Sequence, residues 1–170
     1  MRKMNIGRFI CTGGILTAIT VLFQSAPVFL PAIGLVLSPL STLPIGIAAV
    51  CNISLCFTVY FSSALLLIIV SAQETIILLF TTGLLGIVMG ILLYRKGIVI
   101  SIILSSVALS LGMIFLTYVV GISSFADVAG KLSAPLTLLI FFSFSLVYTA
   151  IWNICFKKFM NYLIKIKLVS

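Results

Sequence analysis

The chain has 170 residues, 63% hydrophobic and 7% charged, with a net charge of +8 and a mean hydropathy of +1.44. Soluble domains carry about 25% charged residues, so these few cannot cover a water-facing surface, and the chain reads as an integral membrane protein. Its apolar runs are long and do not alternate, which excludes a β-barrel and leaves helices as the spanning element.

Arg2, Lys3 and Arg8 precede the first apolar run, residues 9–27. That run is too long for a signal-peptide core, and Pro27 after Ala26 is a poor cleavage context, so it reads as a retained span. Gly7, Cys11, Gly14 and Ala18 recur at i, i+4, i+7 and i+11. They share one helix face, where small residues let a neighbouring backbone come close. Gln24 and Ser25 lie at the end of the run.

Next comes PVFLPAIGLVLSPLSTLP, residues 27–44, which holds Pro27, Pro31, Pro39 and Pro44. Proline removes a backbone donor and clashes with the preceding turn, so a span here is interrupted. Residues 32–50 are nevertheless about 28 Å long as a helix, close to the roughly 30 Å of a bilayer core. Pro27 and Pro31 then bound the approach to this span, while Pro39 and Pro44 lie within it. Ser38, Ser41 and Thr42 are the local hydroxyls available to the freed backbone groups. Two readings stand: a kinked helix serving packing alone, or a broken helix edging a solute cavity.

A short turn at 51–53 leads to a third span over 54–71, and Gln73 and Glu74 introduce a fourth over 75–94. The fourth carries a second small-residue stripe, Gly83, Gly86 and Gly90, and ends at Arg95 and Lys96. The fifth span, 98–121, carries a third stripe, Ser101, Ser105, Ala108 and Gly112, and has Tyr118 near its end. Ser123, Ser124, Asp127 and Lys131 follow it. The sixth span covers 132–156, and a basic tail, 157–170, carries Lys157, Lys158, Lys165 and Lys167. That tail either lies on anionic lipid or frays.

Charge parity sets the span number. Basic flanks belong on the cytoplasmic side, so an even number of spans separates the N-terminal cluster from Arg95 and Lys96. Residues 28–73 must therefore supply two crossings. The expected architecture is one all-α transmembrane domain, a six-helix bundle with both termini cytoplasmic. The same charge placement accounts for the +8 balance through lipid headgroups, without nucleic acid.

Chemistry is sparse. There is no histidine, and Cys11, Cys51, Cys56 and Cys155 show no CxxC spacing, so neither a zinc site nor a nucleophile–base pair is expected, and the chain does not read as an enzyme or a cofactor binder. CTGGILT lacks the lysine of a phosphate-binding loop. No ionisable residue falls at mid-span, so no proton relay is expected. On the external side, parity gathers Gln24, Ser25, Gln73, Glu74, Tyr118 and Asp127. They form either a substrate pocket with a few polar contacts or ordinary interfacial decoration.

Six spans in this length, the basic N-terminus, the small-residue first helix and the Arg95–Lys96 pair after the fourth span form a recognisable set. With Leu43–Ala49 (LPIGIAA) and Gly83–Gly97 (GLLGIVMGILLYRKG), the chain resembles the S components, the substrate-capture subunits, of bacterial energy-coupling factor (ECF) transporters, and a related group of bacterial six-helix membrane proteins. The resemblance implies a multi-pass protein of the bacterial plasma membrane that captures a small solute, such as a vitamin or precursor, from outside. It also implies docking to a transmembrane coupling subunit driven by cytoplasmic ATPases. In the family an AxxxA pattern on the first helix makes that contact; Gly14-Ile-Leu-Thr-Ala18 takes its place here, with glycine for the first alanine. The alternative is a structural or assembly membrane protein that carries no solute.

Overall fold

The computed structural model of the chain describes residues 5–121 and 134–165. Among them there is no strand, and six helices are long and apolar enough to cross a membrane. They are α1 (Ile6–Phe29), α2 (Pro31–Cys51), α3 (Ile53–Val70), α4 (Ala72–Leu93, continuing to Arg95), α5 (Ile98–Val120) and α6 (Ala134–Lys165). The protein is an all-α six-helix membrane bundle. Large apolar side chains such as Ile10, Ile69, Val99 and Leu139 are more than half exposed on its outer surface. Lipid contact explains that surface; water would not tolerate it.

Local sequence sets the breaks between helices. Leu30 stands before Pro31 and adopts φ −133°, ψ 80°, because a residue preceding proline is pushed out of the helical region. Pro31 then opens α2 at its first position, where a missing N–H costs nothing. Asn52 is extended, and its Oδ1 accepts a hydrogen bond from the Ser54 N–H at 2.9 Å, capping α3. Ser71 repeats the arrangement for α4, accepting from the Glu74 N–H at 3.4 Å. Gly97 (φ 89°) and Gly121 (φ 71°) end α4 and α5 in conformations that favour glycine.

Three helices carry internal irregularities. In α2, Ser38–Ser41 tightens into a 3₁₀ turn around Pro39, and the Thr42 hydroxyl donates to the Pro39 carbonyl at 2.8 Å. In α4 and α5, Leu78–Thr82 and Leu116–Val120 widen into π turns. Two departures from the sequence reading follow. Pro27 lies inside α1 rather than at its boundary, since the helix continues to Phe29. The last helix runs on to Lys165 through residues expected to form a separate tail, because Phe156 and Met160 are wholly buried against α4 and hold that stretch in place.

The bundle packs as two parts. α1 to α4 share the largest core, including Leu16, Ile45, Leu55, Val59, Leu67 and Leu78. α5 and α6 pack on each other through Leu109, Met113 and Phe141, and join the rest through Met89 and Leu93 against Phe156 and Met160. Close approach is bought with glycine. A Cβ on Gly90 would lie 2.6 Å from the Ala49 Cβ and one on Gly86 2.9 Å from the Thr42 carbonyl oxygen. At Gly112 of α5 the Phe80 carbonyl oxygen already fills the place a Cβ would take. Two of the three small-residue stripes are thus consumed inside the molecule. The third is not: Gly7, Cys11, Gly14 and Ala18 are all exposed, and nothing lies within 4 Å of a Cβ built on Gly7 or Gly14.

Candidate functional site

The buried polar residues converge at one place. Gln24 comes from the last third of α1 and is fully buried. Its Nε2 donates to Glu74 Oε2 at 2.8 Å, across fifty positions of sequence. Its Oε1 accepts from Ser41 Oγ at 2.7 Å and from Thr82 Oγ1 at 3.0 Å. One amide therefore ties together α1, α2, the first turn of α4 and the end of its π turn. An ionised carboxylate can only accept, so the amide nitrogen must face Glu74 and its oxygen the two hydroxyls. The side chain has a single orientation that satisfies all three partners.

Glu74 stands three residues after the capping Ser71, in the first turn of α4. The Ser-x-x-Glu spacing is that of a capping box, in which the glutamate turns back to the cap. Here the carboxylate turns inward to Gln24 instead, and the residue is only 8% exposed. Among the described residues no basic side chain pairs with it.

Glu74 lies on the wall of a cavity of about 300 Å³ between the two parts of the bundle. Pro27, Leu35, Ser38 and Pro39 bring the proline-rich segment to its edge. Gln73, Ile77, Thr81 and Thr82 line it from the start of α4. Opposite stand Leu109, Met113 and Leu116 of α5 with Phe144 and Tyr148 of α6. The two aromatic rings are stacked, with centroids 6.0 Å apart and planes at 22°. A volume of this size lies at the small end of ligand sites, which run from about 300 to 1,000 Å³. The broken second span does border a cavity.

The structure sorts the residues marked out in the sequence. Gln24 and Glu74 meet directly, and Gln73 joins Glu74 on the cavity wall. Ser25 is buried but donates to the Leu22 carbonyl of its own helix at 3.2 Å, away from the cavity lining. Tyr118 is 55% exposed and lines no part of it. Asp127, with Ser123, Ser124 and Lys131, lies outside the described residues. Thr82, Phe144 and Tyr148 belong to the site without having been picked out. Thr82 sits mid-run among apolar residues, and only the 3.6-residue spacing of Phe144 and Tyr148 hinted at a shared face.

A separate polar cluster closes α5 against α6. Ser101 Oγ donates to Asn153 Oδ1 at 2.6 Å, and Asn153 Nδ2 donates to the Thr149 carbonyl at 2.8 Å. All three residues are fully buried, and none lines the cavity. Their role is to fasten two helices.

Compared with known proteins, the chain matches no family model, no curated protein and no solved structure.

Proposed function

We propose that the protein is the substrate-capture subunit of an ECF-type uptake transporter in a bacterial plasma membrane, binding a small solute in the cavity beside Glu74. The observation that carries this reading is the position of the cavity. It lies toward the C-terminal end of α1 and the N-terminal ends of α2 and α4, while Arg8, Arg95, Lys96, Lys157, Lys158 and Lys165 flank the opposite end of the bundle. With the basic end cytoplasmic, the solute enters from outside. A cavity walled by apolar side chains with few polar groups suits a solute site better than an ion filter.

The exposed face of α1 supports the second half of the reading. Gly7, Cys11, Gly14 and Ala18 form a smooth, exposed strip, with Gly14 and Ala18 at the edge of a groove against α3, suited to close helix–helix contact with a transmembrane coupling subunit. Gly14→Leu and Ala18→Leu are each expected to abolish association with the coupling subunit and its ATPases when the tagged chain is purified from membranes containing them. Because Gly14 faces open space, Gly14→Leu should leave the fold intact, as read by elution volume in detergent. Normal association of both variants would remove the docking reading and favour a structural or assembly role.

A further inference from the structure

We infer that the solute is a small organic cation: an apolar or aromatic body carrying one positively charged nitrogen, held by the Glu74 carboxylate. The inference rests on the solute-capture reading above and narrows it to a chemical class.

The reasoning begins with an imbalance. Burying a carboxylate is costly unless it is paired and hydrogen-bonded. Glu74 is 8% exposed, yet a neutral amide is its only side-chain partner among the described residues. The basic residues among the described ones, Arg8, Arg95, Lys96, Lys157, Lys158 and Lys165, lie at the other end of the bundle, and Lys131 lies outside the described residues. Gln24 occupies Oε2, and no hydrogen bond within the described residues engages Oε1. The carboxylate therefore has one oxygen fixed and one without a partner among the described residues, and a cation in the cavity would supply the charge it lacks.

The remaining walls agree. Thr81 and Thr82 also line the cavity, but Thr81 donates to the Ile77 carbonyl at 2.6 Å and Thr82 to Gln24. Neither has its proton to spare for an anionic ligand. Phe144 and Tyr148 also line the cavity with aromatic rings, whose faces attract cations. Leu109, Met113 and Leu116 supply an apolar surface for the body of the ligand. An anionic solute would meet a carboxylate and no cation among the described residues; a neutral one would not pair with the Glu74 charge.

The test titrates the purified chain in lipid nanodiscs with three probes of one shape: phenethylamine, phenethyl alcohol and hydrocinnamate. The amine is expected to bind at least about tenfold more tightly than the alcohol, and hydrocinnamate not measurably. Glu74→Gln should bring the amine down to about the level of the alcohol, with a much smaller loss for the alcohol. Tyr148→Leu keeps the carboxylate and should weaken the amine several-fold more than the alcohol; it serves as the test should Glu74→Gln not fold. Equal affinity for the three probes, no binding of any, or an amine preference that survives in a folded Glu74→Gln chain would each overturn the inference. If that happens while Gly14→Leu still abolishes association, the cation is discarded and the capture subunit stands. If association is also indifferent to the stripe, both readings go.

Discussion

Gly112→Ala is expected to destabilise the bundle by about 3 kcal/mol, the upper end of the usual range for overpacking. Helix propensity alone predicts the opposite, since alanine favours a helix interior over glycine by about 1 kcal/mol. Sterics should win because the added methyl meets the Phe80 carbonyl oxygen, a backbone atom inside the π turn of α4 that cannot swing aside as a side chain would. The comparison is Gly14→Ala, where open space surrounds the new Cβ and propensity acts unopposed. Unfolding in mixed detergent micelles should lower the midpoint for Gly112→Ala and hold or raise it for Gly14→Ala. If the two variants shift alike, the close approach of α5 to α4 is not what the glycine provides.

Gln24→Leu should cost about 3 kcal/mol, for a different reason. The three groups that meet Gln24 do not suffer equally when it goes. Ser41 and Thr82 carry hydroxyls that can turn to carbonyls of their own helices. The Glu74 carboxylate has no such alternative, and a buried charged group stripped of its donor carries the full desolvation penalty. Removing both ends of the pair relieves that penalty, so the double variant Gln24→Leu/Glu74→Leu should be more stable than Gln24→Leu alone. The same unfolding measurement, arranged as a double-mutant cycle, gives the coupling directly. A double variant less stable than Gln24→Leu would show that the pair does not act as a unit.

Much of the fold was legible because its signals are long and repeated. Span number followed from where Arg8, Arg95 and Lys96 stand, and each helix from an apolar run bounded by proline, asparagine or glycine. The site was harder, because it joins residues with weak local signals. Gln24 and Glu74 were both visible as polar residues at span ends on one side, yet nothing local says that they bond. The Ser71-x-x-Glu74 spacing does place Glu74 within a helical turn, and treating it as part of a connection overlooked that. Tyr118 lies outside the cavity lining, and an aromatic near a span end serves lipid as readily as a ligand. Stripes were easier to find than to sort: only packing distinguishes Gly90, pressed against Ala49, from Gly14, where an added Cβ would meet open space.

The wide turn at Leu78–Thr82 has a consequence for the phase of α4. Successive residues in an α-helix advance by about 100°, so twelve positions would set Glu74 about 120° away from Gly86, which faces α2. A π turn takes up one extra residue, leaving eleven effective steps and an offset of about 20°. The carboxylate and the glycine then look the same way, toward α2 and the Gln24 it helps to hold. Deleting one residue between 78 and 82 would remove the wide turn and leave that phase unchanged, whereas winding all twelve positions at the ordinary pitch would swing Glu74 about 100° around the helix axis. Every cavity side chain of α5 and α6 would remain, yet the acid would point elsewhere. Helix pitch, as much as residue identity, puts the charge in the cavity wall.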